Sequence, residues 1–281
     1  MIDFNKLLLN KRKEKILTAF VIGDAMGAIT DKISMPDDIK LHYKFPVTNY
    51  VIPKTNKYVT KIGGNTWRYD LISLLIKSYL QFDDNIKRIE KFNNLLKSYA
   101  LSNRFKAGDG DLMLNIVISS LLGGKGNSGL IDYAVYSNYF NFIVALFSSI
   151  INDGLEYIVN FNKIIFNNSK INLYHLLRLY HLFIVDSKSL INDKISNMII
   201  DDSYVSILFS KVLKCLECKD FESLIVKSCN DFFDLSADIV SLSASIFIMV
   251  DSKKIIPYNY IAYLHNADKK IAFIREFINH V

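Results

Sequence analysis

Cysteine is scarce in this chain: Cys215, Cys218 and Cys229 are the only three in 281 residues. That is too few for a disulfide framework, so all three are expected as reduced thiols. The C-x-x-C at 215–218 has no second Cys or His pair at zinc spacing, so neither metal nor redox use is expected of it. Four prolines and eleven glycines leave nothing that reads as a flexible linker. The glycines gather at 23–27, 63–64, 108–110 and 123–129, where turns or close approaches would need them, and the whole of 1–281 is read as one domain.

Long apolar runs are also missing. The longest, "YFNFIVALFSSII" at 139–151 and "IVSLSASIFIMV" at 239–250, fall short of the ~20 residues a membrane-spanning helix needs. The N-terminus carries only Leu7, Leu8 and Leu9 before charges resume, which does not match a secretory signal. A cytoplasmic protein with no membrane partner is the expectation. The net charge of +6 is spread over scattered lysines, and the one compact basic cluster, "KRKEK" at 11–15, is interrupted by Glu14. A solvated helix face explains it better than a nucleic-acid patch, so no nucleic-acid partner is expected.

What is abundant is helical periodicity. Apolar residues recur at three- and four-residue intervals almost throughout, and strict alternation is rare, which predicts an all-α fold. The pattern places helices near 9–30, 68–82, 86–102, 109–122, 137–152, 171–186, 203–217, 220–230, 234–250 and 258–279. Segment 32–62, with Pro36, Pro46 and Pro53, fits neither period and reads as a long loop over the surface or beside a site. His175 and His181 are six apart, a spacing that separates them around a helix and argues for packing over metal binding.

Four polar clusters interrupt the apolar helices, each near a helix start. In "AFVIGDAMGAITDKIS", Gly23 and Gly27 permit a close helix crossing, and Asp24 and Asp31, seven apart, share a face. Buried acids needing partners and solvated acids at a helix end both fit. In "GGNTWRYD" the only Trp, Trp67, precedes Arg68, Tyr69 and Asp70. The helix dipole favours Asp70 there and disfavours Arg68, so Arg68 either faces an anion or covers apolar surface. In "KAGDGDLM", Gly108 and Gly110 bracket Asp109 ahead of Asp111 and a helix, a geometry for cradling phosphate or for a plain N-cap. In "SCNDFFDLSADIVSLSAS", Asp231, Asp234 and Asp238 would crowd one side if a single helix carried them; Asp234 as an N-cap is the alternative.

Taken in order, these clusters resemble the motifs of the ADP-ribosylglycohydrolase family. "AFVIGDAMGAITD" is similar to the family's opening G-D-A-x-G-A helix, with Asp31 where Glu is usual. The Thr-Asp-Asp-Thr motif falls on Trp67, Arg68, Tyr69 and Asp70. "GDGDLM" resembles the G-N-G-x-x-M loop, and Ser137 and Asn138 stand in the Thr-His segment. The final Gly-Gly-Asp-Thr-Asp-Thr motif is similar to "NDFFDLSADIVSLSAS", with Phe232 at the first Asp and Asp234 at the second.

The resemblance implies an all-α domain and, in active members, a pair of magnesium ions that hold ribose and water for glycosidic cleavage. Magnesium needs oxygen ligands in near-octahedral order. Arg68 and Phe232 offer none, so the metal site is expected to be lost and no cofactor retained. The Arg68 guanidinium is then expected to fill the space of the cations and pair with Asp31 and Asp234, or with Asp231 if the register slips by one residue. Three functions remain open on these residues. A pseudoenzyme would still bind ADP-ribose or a related nucleotide through Asp24, Arg68, Asp70, Gly108–Asp111, Asn138, Asp231 and Asp234. An active hydrolase would use Asp31 as general base. An interaction module would bind a protein partner.

Overall fold

A computed structural model describes residues 4–31, 33, 37, 40, 43–44, 46–54, 59–100, 143, 147, 204–232 and 235–281. The described residues form eight α-helices and no strand, as the periodicity predicts. In chain order they are α1 (Phe4–Gly27), α2 (Trp67–Tyr79), α3 (Asn85–Ala100), α4 (Tyr204–Leu216), α5 (Phe221–Asp231), α6 (Ser236–Val250), α7 (Tyr258–Ala262) and α8 (Ala267–His280). The helices expected at 109–122 and 171–186 lie outside the described residues. Within 137–152 only Ile143 and Phe147 are described, both helical and buried.

The chain divides into two compact units, one of Met1–Asp70, Ser187–Asp202 and Ser206–Val281, the other of Leu71–Asp186 and Ser203–Val205. The passage from one to the other falls inside α2, so no linker composition could mark it.

The first unit is built on α1 and α6, which among the described helices have the most extensive mutual packing. Every residue from Ile16 to Asp31 and from Ser236 to Met249 is buried. Helices apolar on all sides are core helices. Two glycines set their separation: a Cβ on Gly23 would strike the Val240 carbonyl and lie 2.7 Å from Ser241 Cα, and one on Gly27 would lie 2.5 Å from Ala237 Cα. The close crossing expected of this pair is what the structure shows. Three of the four serines of α6 fit a dry interface because they bond to the backbone: Ser241 donates to Asp238 O at 3.0 Å, Ser245 to Ser241 O at 3.0 Å, and Ser236 to Gly27 O at 2.6 Å.

The basic end of α1 is more engaged than a solvated face. Arg12 donates to Met249 O, and Lys15 donates to Ser252 O at 3.0 Å and to Lys254 O. These cations satisfy carbonyls at and beyond the C-terminus of α6, where the dipole is negative. Glu14 takes both ends of the Arg275 guanidinium, at 2.7 and 3.2 Å.

The single helix predicted for 258–279 is broken into α7 and α8. Asn266 lies at φ 55° immediately before α8, in the left-handed region that Asn tolerates better than most residues. Lys270, Ile274, Phe277 and Ile278 then form the buried stripe of α8. In the second unit Asp84 Oδ1 accepts from Lys87 N at 2.9 Å to cap α3, and the Arg88 guanidinium stacks 4.2 Å from the centre of the Tyr79 ring. Tyr79 also meets Phe147 edge-on at 5.4 Å. Among the described residues no helix is long and apolar enough to cross a membrane.

Candidate functional site

The polar residues buried in the first unit converge on the start of α2. Asp24, on α1, is wholly buried, and three donors reach it from one short stretch. Asn65 Nδ2 donates to Oδ2 at 3.0 Å, Thr66 N donates to the same oxygen at 2.8 Å, and the Thr66 hydroxyl donates to Oδ1. Burial raises the Asp24 pKa, against the lowering effects of the Arg68 charge and of the Thr66 and Asn65 hydrogen bonds. Asn65 Nδ2 also donates to Val21 O at 2.7 Å. Its carbonyl accepts from Lys270 Nζ, brought in by α8, and that ammonium lies 5.0 Å from the Tyr69 ring centre.

Thr66 serves two ends at once. Its oxygen accepts from Arg68 N at 3.2 Å, the bond an N-cap makes to the second residue of a helix, while its proton goes to Asp24. The helix start is thereby fastened to α1.

Arg68 is 4 % exposed although it sits in the first turn of α2, where the dipole disfavours a cation. Two carboxylates offset that cost. Nε donates to Asp238 Oδ1, and Nη1 stands 3.7 Å from Asp31 Oδ2, an ion pair too long to be a hydrogen bond. Nη1 also donates to Thr66 Oγ1 at 3.2 Å, and the guanidinium carbon lies 4.6 Å from the centre of the Trp67 ring. The four side chains Asp24, Asp31, Arg68 and Asp238 are all under a tenth exposed.

The structure therefore brings together Asp24, Asp31, Arg68 and Asp238 of the residues singled out from sequence, and it adds Asn65, Thr66 and Lys270. Among the described residues the second carboxylate paired with Arg68 is Asp238, and not Asp231. The chain leaves helix between α5 and α6, so Asp231 ends α5 on the surface and Asp238 falls in the dipole-favoured first turn of α6. The charge of Asp231 bears on Cys215 and Cys218. Asp234 lies outside the described residues, as do Gly108, Asp109, Gly110, Asp111 and Asn138. Asp70 is half-buried in the first turn of α2.

Two signals could have found the added residues. Thr66 directly precedes the first periodic residue of α2, the position of an N-cap. Lys270 lies four residues before Ile274 on the apolar face of α8, where a cation needs a buried acceptor.

Among the described residues the donor set does not suit magnesium. An ion at 2.0–2.1 Å from the Asp31 or Asp238 oxygens that face Arg68 would stand beside a guanidinium. Repulsion between a divalent and a unit cation ~4 Å apart is about 8 kcal/mol at an effective dielectric of 20. Among the described residues no group of three or more His, Cys, Asp or Glu side chains is placed to hold a metal. The thiols are equally quiet: burial pushes the Cys215 pKa up to about 12 and raises Cys229 further, leaving little thiolate at neutral pH.

No protein-family model matches the chain, and no curated protein matches it. Among solved structures, one described as an ADP-ribosylglycohydrolase-related protein complex is similar over 97 % of this chain and 98 % of its own, at 13 % identity and a TM-score of 0.48. A likeness of that strength carries no argument about the site.

Proposed function

We propose that this chain is an ADP-ribosylglycohydrolase-type helical protein in which a tethered cation, Arg68, replaces dissolved ones, so that it binds ADP-ribose or a related nucleotide without hydrolysing it by a metal route. The observation that carries this reading is the buried guanidinium between Asp31 and Asp238. A general base must be able to take a proton from water, and Asp31 is instead 4 % exposed and ion-paired. Its lone pairs face a permanent cation whose own proton is not available for exchange at neutral pH. The motif resemblance of Gly108–Asp111 and Asn138 supports nucleotide binding as the retained property, with the pyrophosphate near the Gly108–Asp111 motif.

Two assays test the two halves of the proposal. Incubation of the full chain with ADP-ribosylated peptide and magnesium is expected to release no ADP-ribose above the level of an Asp31→Ala control. Release that disappears in that control would overturn the non-hydrolytic reading. In a thermal melt, ADP-ribose at a hundredfold over its dissociation constant would add about 2.7 kcal/mol of stability. No shift at millimolar ADP-ribose would remove the binding half.

A further inference from the structure

Half of the large hydrophobic side chains exposed among the described residues belong to segments tied to one short helix. They are Val51, Ile52, Ile62, Ile255, Tyr258 and Tyr263, and their exposures run from 37 to 79 %. Segment 48–52 is fastened to α7 by the Tyr50 hydroxyl, which donates to Tyr260 O at 3.0 Å, and by the edge-on contact of the two rings at 6.2 Å. Ile62 is held next to the residues that follow α7. Its neighbour Gly63 adopts φ 64°, accepts from His265 N at 2.9 Å through its carbonyl, and sits where a Cβ would strike the Tyr263 carbonyl. Ile255 and Tyr258 flank Pro257 at the start of α7. Tyr260, the buried member of that helix, anchors the arrangement against Phe221 at 5.9 Å.

The charges carried by the two segments themselves have one sign, with Asp251 just outside them bonded to Lys253 N at 3.0 Å. Neither 46–64 nor 252–266 contains an Asp or a Glu, while Lys54, Lys61 and Lys253 are exposed on them. The acids at the start of α5, Asp220 and Glu222, bear on Tyr260, and Asp220 is engaged in capping α5.

We propose that this face docks a protein segment that is apolar at its centre and acidic around it. Exposed apolar patches with a polar rim mark interaction sites, and tyrosines are favoured anchors there. A second copy of this chain is a poor occupant, because apposing the same face on two molecules sets lysine against lysine. Nucleic acid is a poor one too: four of the six side chains are aliphatic and offer no stacking face, and the three exposed lysines supply few phosphate contacts.

The test is fluorescence polarisation on the full chain with three labelled probes. One is a helical peptide with Leu and Phe on one face and Glu on the other; the second replaces each Glu by Lys; the third is a twelve-nucleotide oligouridine. The acidic peptide is expected to bind saturably, and the other two are not. Ile255→Asp and Tyr258→Asp are each expected to weaken it at least tenfold, and Lys253→Glu several-fold, while Ile86→Asp, an exposed apolar residue of the second unit, leaves it unchanged. Melting midpoints check that each variant is folded, and Tyr263→Ser replaces any that is not. The proposal is overturned if the acidic peptide does not bind, if Ile255→Asp and Tyr258→Asp bind it as well as the natural sequence, or if the Lys peptide or the RNA binds in preference. These outcomes are independent of whether Arg68 has displaced a metal.

Discussion

Two acids, one on α1 and one in the turn that follows it, solve the same electrostatic problem in opposite environments. Midway along α1 Glu14 meets Arg275 through two good hydrogen bonds, yet the Arg275 side chain is 58 % exposed. Just past the end of α1 Asp31 meets Arg68 with both side chains about 5 % exposed, and Asp238 completes the pairing. Geometry alone would rank the first pair above the 3.7 Å contact of the second. Water decides otherwise: it screens the exposed pair and replaces either partner at little cost, whereas a buried charge that loses its partner has nothing to turn to. The lesson is that the consequence of an ion pair here follows its burial and not its bond lengths.

The largest expected effect comes from cutting the buried pair. Arg68→Met leaves two acids facing each other in a dry site and is expected to lower unfolding stability by about 3–5 kcal/mol in urea titrations. A loss under 1 kcal/mol would mean that the acids reach water. Next comes the crossing that delivers Asp238 to α1. Gly23→Ala drives a methyl into the Val240 backbone and is expected to cost about 1–3 kcal/mol; a neutral result would show that α6 can shift without disturbing Arg68.

Asp24 sharpens the comparison through pH. Its folded pKa is raised above the ordinary 3.8 by burial. A raised folded value contributes stability that is fully present below the unfolded pKa and is lost as pH rises through the folded one. The stability difference between the natural chain and Asp24→Asn is therefore expected to shrink as pH rises from 4 towards 8. A difference that grows over that range would mean the donors around Asp24 outweigh its desolvation. The smallest effect is expected at the exposed pair, where Glu14→Gln should leave the unfolding midpoint unchanged within error, since surface pairs contribute little.

Much of this was legible beforehand, and the parts that were not share a cause. Gly23 and Gly27 announced a close crossing because four-residue spacing of glycines in an apolar helix has few other uses. Arg68 announced an anionic partner because it stands against the dipole of its own helix, and Asp31 was within the set that could supply it. Asp238 was not named as a partner because the motif resemblance laid the pairing acid on Asp234, or on Asp231 with a slip of register, while the break between α5 and α6 depends on backbone geometry that composition does not carry. Lys270 lies 205 residues from Asn65, and no local pattern joins them. Thr66 was legible and overlooked: the polar residue just ahead of Trp67 mattered as much as the charged one after it. The division of 258–279 into α7 and α8 depended on Asn266 adopting a positive φ within a stretch whose apolar spacing continues unbroken.

Arg68 and Asp238 act as one buried unit, and a double-mutant cycle measures that directly. Arg68→Met, Asp238→Asn and the double variant, compared by urea unfolding, are expected to give a coupling energy of about 2–3 kcal/mol. The same cycle on Glu14 and Arg275 is expected to give a coupling indistinguishable from zero. Additive effects at Arg68 and Asp238 would contradict the claim that a fixed guanidinium holds the acids of this site.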